Sequence, residues 1–125
     1  MHPETRVLVI DDNTDLTRIV YMILTAEGLS VKECDKLEDG ITCLKDWKPR
    51  LILLDVNING DDSRNFCQKI KLEMGENIKV ILMSGDESTL DHKEWNGADD
   101  CISKPFDTDL LIQKVSMHLA KEFNS

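Results

Sequence analysis

The sequence feature that most constrains the fold is a strict alternation of short, continuous apolar runs with longer amphipathic segments. Continuous runs rich in β-branched residues are typical of strands that are buried on both faces of a sheet. The predicted strands are Arg6 to Ile10, Leu29 to Cys34, Leu51 to Leu54, Ile78 to Met83 and Asp100 to Ser103.

The amphipathic segments between these strands predict helices, because their apolar residues recur at helical spacing. The predicted helices are Thr14 to Glu27, Leu37 to Trp47, Ser63 to Met74, a short polar segment from Ser88 to Asn96, and Thr108 to Phe123. In the first helix the expected buried stripe is Leu16, Ile19, Val20, Ile23 and Leu24. In the second, Ile41, Leu44 and Trp47 are expected to face inward.

Five strand–helix units in alternation predict an α/β domain with a parallel sheet and helices on both of its faces. Residues 1–125 are expected to form a single domain, because no linker, internal repeat or low-complexity tract interrupts the pattern. No output domain is expected within this chain.

Charge and cysteine usage narrow the class of protein. The formal net charge of −9 argues against a DNA-binding surface, which needs clustered Lys and Arg. The cysteines form no C-x-x-C pair and are expected to be free, mostly buried thiols. They are Cys34, Cys43, Cys67 and Cys101. No secretory signal or apolar run of about 20 residues is present, so a cytoplasmic location without membrane contact is expected.

The residues that end the strands carry the chemical information, because ligands of parallel α/β sheets bind beyond the carboxyl ends of the strands. Asp11 and Asp12 follow the first strand, Asp55 the third, Ser84 the fourth and Lys104 the fifth. Two carboxylates about 4 Å apart repel by about 4 kcal/mol at an effective dielectric near 20. A divalent cation and a lysine ammonium would offset that repulsion, and carboxylate oxygens suit magnesium.

Each of these residues has an ordinary explanation when it is taken alone. The Asp11-Asp12 pair is typical of a helix amino terminus, where the helix dipole favours negative charge. Aspartate is common at the start of a turn, which would account for Asp55. The joint pattern favours a functional site, because separate strand ends carry chemically complementary groups.

Four stretches of the chain together resemble the receiver domain family of two-component response regulators. They are VLVIDDN at 7–13, LILLDVN at 51–57, VILMSG at 80–85 and GADDCISKPF at 97–106. The resemblance covers essentially the whole chain, and it implies a three-layer, flavodoxin-like fold. The implied sheet has five parallel strands in the order 2-1-3-4-5.

The resemblance also implies roles at the metal site. Asp55 would be the phosphoacceptor. Asp11 and Asp12 would hold Mg²⁺ or Mn²⁺, and Asp55 and the backbone carbonyl of Asn57 would complete the protein ligands. Asn57 would in addition tune the hydrolysis of the acyl phosphate.

Further roles are implied for residues around the phosphoryl group. Ser84 would donate a hydrogen bond to a phosphoryl oxygen, and Lys104 would pair with the same group. The bond before Pro105 is expected to be cis, as cis peptides are essentially confined to X-Pro. Asp86 lies where the family tunes hydrolysis of the acyl phosphate.

The family's chemistry implies particular partners. The phosphoryl donor would be a phosphohistidine on a sensor histidine kinase or on a histidine phosphotransfer protein. The receiver would catalyse only its own phosphorylation and dephosphorylation, and would thereby switch a surface formed by the fourth helix, fifth strand and fifth helix. The output would be an unidentified partner or a trimmed output domain, with no direct nucleic-acid binding by this domain.

Several positions depart from the family pattern. Cys101 stands where the family usually has an aromatic switch residue, and it lacks the bulk for the usual ring movement. Asn59 stands where a proline is often found. The segment between Ser84 and Gly97 is short and polar. Trp95 within it is expected to pack into the core, since large aromatic side chains gain most from burial.

Three other functions remain open on the sequence. One is a binding module that keeps the fold but signals without phosphorylation. Another is a haloacid-dehalogenase-like hydrolase, but such enzymes need D-x-D after the first strand, and Asn13 replaces its second acid. The third is a flavin- or nucleotide-binding protein, although no Ser/Thr/Gly-rich phosphate loop follows the first strand.

Overall fold

The computed structural model of the chain describes residues 5–85 and 95–120. Its main sheet has five parallel strands in the order β2-β1-β3-β6-β7. They are β1 (Arg6–Ile10), β2 (Ser30–Cys34), β3 (Leu51–Asp55), β6 (Lys79–Ser84) and β7 (Asp100–Ser103). Between β3 and β6, the two-residue strands β4 (Asn57–Ile58) and β5 (Asp61–Asp62) form a separate antiparallel hairpin. The predicted 2-1-3-4-5 order is therefore confirmed for the main sheet.

Helices cover both faces of this sheet. The described helices are α1 (Thr14–Ala26), α2 (Leu37–Asp46), α3 (Arg64–Met74) and α4 (Thr108–Ala120), with a 3-10 turn at Gly75–Asn77. Buried residues of α1 and α4 pack on one face of the sheet, and those of α2 and α3 pack on the other. The protein thus has the three-layer α/β architecture that the alternation of the sequence predicts.

Side-chain alternation along β1 shows how one strand serves both layers. Val7 and Val9 belong to the cluster under α1 and α4, whereas Leu8 and Ile10 belong to the cluster under α2 and α3. All four are fully buried, as expected where successive side chains point to opposite faces. Each contributes about 1.5–3 kcal/mol relative to an exposed side chain.

Helix α2 packs especially close to the sheet at Gly40. A Cβ atom at this position would lie 2.6 Å from Cδ1 of Ile10. Glycine in the middle of a helix costs about 1 kcal/mol relative to alanine. Its presence is explained by this close approach of α2 to β1.

Two of the residues predicted to face inward are largely exposed. Ile19 is 51% exposed and Ile41 is 41% exposed, so both predictions were wrong. In α1 the burial of Val20 and Leu24 is confirmed, and Thr17 is a further buried position that was not predicted. Thr17 is tolerated there because its hydroxyl donates to the Thr14 carbonyl at 3.1 Å and lies 3.1 Å from a Glu33 carboxylate oxygen. Hydrophobicity alone could not detect this buried polar position.

Other predicted boundaries shift by one or a few residues. The third strand runs one residue further than predicted, through Asp55, and the fourth runs from Lys79 to Ser84. Most of the predicted Ser88 to Asn96 helix, the end of the last predicted helix and Asp86 lie outside the described residues. Trp95 packs against the core cluster under α2 and α3, which confirms its predicted role.

All four cysteines are free, and all but the half-buried Cys34 are buried, as predicted. Burial raises the pKa of Cys34 and of Cys67 to about 11, so neither forms much thiolate at neutral pH. None of the helices in the described ranges is long and apolar enough to cross a bilayer.

Candidate functional site

Three carboxylates converge at the carboxyl edge of the sheet. Asp11 and Asp12 follow β1, and Asp55 ends the neighbouring strand β3. One carboxylate oxygen from each lies within 4.8 Å of the others. Asp11 is fully buried, Asp55 is 7% exposed and Asp12 is exposed. In the described part of the chain, no other group of three or more potential metal ligands is as close together.

Lys104 brings a positive charge to this cluster from the end of β7. Its ammonium lies 2.6 Å from Asp11 Oδ2 and 3.2 Å from Asp55 Oδ1. Its backbone amide donates to the carbonyl of Ser84 at 2.7 Å, and its bond to Pro105 is cis, as predicted. Burial lowers the pKa of Lys104, but the hydrogen bonds and charges of Asp11 and Asp55 outweigh it and raise that pKa overall. The side chain is therefore a fixed cation.

The electrostatics of Asp55 show that one lysine does not balance the cluster. Burial and then the negative charge of Asp11 raise the pKa of Asp55 to about 6, although Lys104 acts in the opposite direction. Three carboxylates against one ammonium leave an excess of negative charge in a partly desolvated place. A second cation would stabilise the ionised form of Asp55.

Backbone amides hold the two acids that follow β1. The amide of Asn59 donates to Asp12 Oδ2 at 2.7 Å, and the amide of Asn13 donates to Asp11 Oδ1 at 3.0 Å. Asn59 has φ 54°, a left-handed conformation that asparagine tolerates better than most residues. In the sequence Asn59 stood out only as a departure from the family pattern, so this contact was not predicted.

The backbone of Asp55 is fixed by Ser63, a second residue whose role the sequence did not reveal. The hydroxyl of Ser63 donates to the carbonyl of Asp55, and its amide donates to the carbonyl of Val56 at 2.7 Å. Ser63 is fully buried at the start of α3. A serine before a helix predicts a cap. Here its hydroxyl instead ties α3 to the end of β3.

The remaining predicted site residues lie around this cluster. Ser84 is buried at the end of β6, next to β3, where Asp55 pairs with Met83. Asn57 begins β4, two residues after Asp55. Cys101 is buried on β7 and packs in the core cluster under α2 and α3. The contacts predicted for Ser84 and for the carbonyl of Asn57 stay predictions.

A second buried carboxylate, Asp100, lies at the start of β7 in a different setting. Its oxygens lie 2.8 Å from the Lys114 ammonium and 2.9 Å from Nε2 of His118, both on α4, and 2.8 Å from the amide of Cys101. Burial acts to raise the pKa of Asp100. The hydrogen bonds of Lys114, His118 and Cys101 outweigh burial, so the pKa is lowered overall.

The donor set at the acidic cluster fits a hard divalent cation. Magnesium prefers oxygen ligands, is often held by one or two carboxylates and keeps several waters. Asp11, Asp12 and Asp55 supply such oxygens, and the exposure of Asp12 leaves the cluster open to solvent. Cysteine and histidine, which softer metals prefer, are not part of the cluster.

The fold and the site together define a class of protein. A doubly wound parallel sheet with its polar residues beyond β1 and β3, where the strand order reverses, is typical of α/β proteins that bind ligands at this switch point. A sequence model described as the response regulator receiver domain matches residues 7–116. The chain therefore belongs to the receiver domain family of two-component response regulators.

Individual relatives agree with this assignment. The DNA-binding response regulator MtrA of Mycobacterium tuberculosis is 26% identical over 118 residues, which is 93% of this chain and 51% of MtrA. The chain spans about half the length of such curated relatives.

Solved receiver structures are also similar. The NtrX receiver domain of Brucella abortus has a TM-score of 0.82 and 30% identity, covering 91% of this chain and 98% of its own. The beryllofluoride-activated NtrC4 receiver domain dimer has a TM-score of 0.83 and 26% identity, covering 94% and 98%.

Proposed function

We propose that this receiver domain accepts a phosphoryl group on Asp55 with the help of a bound Mg²⁺ or Mn²⁺ ion. The observation that carries the proposal is the cluster of Asp11, Asp12 and Asp55 within 4.8 Å, with the Lys104 ammonium in contact with two of them. The family supplies the context, because receiver domains belong to phosphorylation-based signalling systems.

The proposed reaction is a direct phosphoryl transfer. A carboxylate oxygen of Asp55 attacks the phosphorus of a phosphohistidine, the P–N bond breaks, and its electron pair returns to the imidazole nitrogen. The product is an aspartyl phosphate. The loose transition state needs positioning and charge neutralisation more than covalent assistance.

This chain's own residues divide that task. Ser63 holds the backbone of Asp55 in place, and Lys104 lies within 3.2 Å of its carboxylate, ready to neutralise a phosphoryl oxygen. Asp11, Asp12, Asp55 and the carbonyl of Asn57 would hold the divalent ion. When bound, that ion supplies positive charge to the carboxylates and to the incoming phosphoryl oxygens.

Phosphorylation would then change the balance of contacts around Lys104. The phosphoryl group adds negative charge and acceptor oxygens. Lys104 would exchange its contact with Asp11 for the phosphoryl group, and the buried Ser84 hydroxyl would donate to it. Ser84 ends β6, and Lys104 directly follows the neighbouring strand β7. The change in their contacts would therefore reach the surface that β7 forms with α4.

The proposed partners follow from this chemistry. The donor is a sensor histidine kinase or a histidine phosphotransfer protein in the cytoplasm. The output is either a further domain of a longer protein or a separate partner. The domain does not turn over external substrates, and it makes no direct contact with nucleic acid or membrane.

The experiment is phosphoryl retention measured by intact-protein mass spectrometry. Incubation with Mg²⁺ and acetyl phosphate is expected to add the mass of one phosphoryl group to the wild type and nothing to Asp55→Asn. Asp61→Asn is a matched control, since Asp61 is an exposed carboxylate in the adjacent hairpin. Its phosphorylation should equal that of the wild type.

Two results would contradict the proposal. One is the absence of any added mass on the wild type with either divalent ion. The other is equal labelling of wild type and Asp55→Asn. Partner binding that ignored both Mg²⁺ and Asp55 would instead favour a phosphorylation-independent binding module, the alternative that Cys101 suggests.

A further inference from the structure

We propose that a groove between α2 and α3 binds an acidic amphipathic helix of a partner protein. This α2–α3 groove encloses about 750 Å³, within the range of built binding pockets. Its floor is formed by apolar side chains from both helices. They are Ile41 and Leu44 of α2 and Phe66, Ile70 and Met74 of α3.

The rim of the α2–α3 groove is basic, although the chain as a whole is acidic. Lys45, Lys48, Arg50 and Lys69 line it, and Glu73 is the one carboxylate among the described side chains of the lining. The chain has 24 acidic and 15 basic residues, so this excess of cations is local. A cavity of similar size, about 720 Å³, beside α1 and β2 is lined by four carboxylates and a single Arg18.

The three lysines of this rim are available to a ligand. Among the residues that the structure describes, no carboxylate forms an ion pair with Lys45, Lys48 or Lys69. Charge complementarity therefore selects an acidic partner, and it disfavours a second copy of this acidic chain. Ion pairs at such a rim contribute mostly to specificity and association rate.

The backbone turn at Lys48 fixes the position of this lysine at the rim of the groove. Lys48 follows the end of α2 with φ 56°, a left-handed conformation usually given to glycine at this position. The amide of Lys48 still donates to the carbonyl of Cys43 at 3.2 Å, so the strained turn is formed and holds Lys48 at the rim.

The length and apolar surface of the groove match a short helix. Phe66 to Met74 spans about 12 Å along α3, and anchors at positions i, i+4 and i+7 of a bound helix span about 10.5 Å. Ile41 is 41% exposed, which leaves apolar surface for such anchors to cover. The occupant is thus a helix with three apolar anchors flanked by Glu or Asp.

The α2–α3 groove lies away from the phosphoacceptor. Its lining includes Pro49 and Arg50, which precede β3, whereas Asp55 ends β3 at the opposite edge of the sheet. None of the acidic cluster residues lines it. The proposal therefore stands or falls independently of phosphorylation.

The test uses a capped helical peptide of about four turns, with Leu at positions i, i+4 and i+7 and Glu at the flanking positions. Binding to the ¹⁵N-labelled protein is followed by amide shifts in NMR spectra, with and without Mg²⁺. A second peptide with every Glu replaced by Lys is the ligand control. The Glu peptide is expected to shift amides of α2 and α3, and the Lys peptide to bind at least tenfold more weakly.

Matched variants locate the site. Ile41→Glu and Lys69→Glu are expected to weaken binding about tenfold each, whereas Ile19→Glu on α1 and the exposed Lys36→Glu should leave it unchanged. The four positions are partly or fully exposed, and the dispersion of each variant's spectrum checks its folding. The proposal is overturned by no shifts at about 1 mM peptide, by shifts centred on α1 and α4, or by equal binding of both peptides.

Discussion

Asp55, which ends β3, and Asp100, which begins β7, are both largely buried carboxylates, yet their surroundings are opposite. Asp55 shares its place with Asp11, Asp12 and the single ammonium of Lys104. Asp100 faces Lys114, His118 and a backbone amide. Burial acts to raise both pKa values, but only that of Asp55 ends up raised.

This difference in surroundings distinguishes the proposed phosphoacceptor site from a structural ion pair. The hydrogen bonds and charges around Asp100 already satisfy its carboxylate, so a further ligand would add little. Its contacts with Lys114 and His118 hold β7 against α4. A carboxylate among like charges is destabilised until a cation or a phosphoryl group changes the balance. Perturbed pKa values are common at functional sites for this reason.

The largest expected effect comes from removing the lysine of each cluster. Lys104→Met leaves the buried Asp11 and Asp55 without a cation, and we expect the free energy of unfolding to fall by about 3 kcal/mol. Lys114→Met leaves Asp100 with His118 and the Cys101 amide, so the expected loss is about 1 kcal/mol. Urea unfolding without divalent ions measures both changes, and equal losses would remove the distinction between the clusters.

Magnesium sharpens this comparison. At a concentration about 100 times its Kd, Mg²⁺ should stabilise the wild type by about 2.7 kcal/mol, and it should restore part of the loss in Lys104→Met. The loss in Lys114→Met should stay the same with and without the ion. A Mg²⁺ effect confined to Lys114→Met would contradict the assignment.

The carboxylates themselves should respond with opposite signs. Asp100→Asn removes a satisfied charge and leaves Lys114 without its partner, so we expect a loss of about 2 kcal/mol. Asp55→Asn relieves repulsion with Asp11, and we expect a gain of about 1 kcal/mol in the absence of divalent ions. Thermal unfolding followed by circular dichroism distinguishes the two. If both variants were destabilised, the charge of Asp55 would be balanced by its neighbours as well as that of Asp100 is.

The pH dependence of the free energy of unfolding should reveal the contribution of the ionised Asp100 carboxylate. Its pKa is lowered in the folded state, so its contribution is present above the unfolded value of about 3.9 and is lost as pH falls through the folded value. The stability difference between wild type and Asp100→Asn should shrink as pH falls from about 5 through about 4, a range below the one in which histidine such as His118 titrates. Urea midpoints measured at several pH values below about 5 give this difference, and one that grew over that range would be inconsistent with the lowered pKa.

Much of this arrangement could be predicted from the sequence, because it follows from strand ends. The hydrophobic runs located β1, β3, β6 and β7, and a parallel sheet brings their carboxyl ends to one edge. Asp11, Asp12, Asp55 and Lys104 were therefore predicted together, and the structure brings them together.

What could not be predicted depends on contacts between residues distant in sequence. The amide of Asn59 reaches Asp12 across 47 positions, and any residue but proline could supply that amide. Ser63 was predicted only as the first residue of a helix, and nothing in the local sequence indicates its bond to the Asp55 carbonyl. Thr17 is buried in α1 although it is polar, because its hydroxyl pairs with Glu33 of the neighbouring strand.

The smallest expected effect is on Mg²⁺ affinity in variants of Asn59. It measures how much the backbone amide of Asn59 contributes to the acidic cluster. Asn59→Gly keeps the amide and accepts φ 54°, so Mg²⁺ affinity should change less than about twofold. Asn59→Pro loses the amide donor and cannot adopt this φ, so Mg²⁺ affinity should fall about tenfold. Isothermal titration calorimetry measures both affinities, and equal affinities would remove the amide of Asn59 from the site.

The central claim, that the Asp55 cluster is the one that responds to a phosphoryl group, is tested most directly with beryllofluoride, a mimic of the acyl phosphate. With Mg²⁺ present, its addition to the ¹⁵N-labelled protein should shift the amides of Asp55, Ser84 and Lys104 strongly and those of Lys114 and His118 less. Asp55→Asn should show no response. An unchanged wild-type spectrum, or one whose changes persist in Asp55→Asn, would contradict the account.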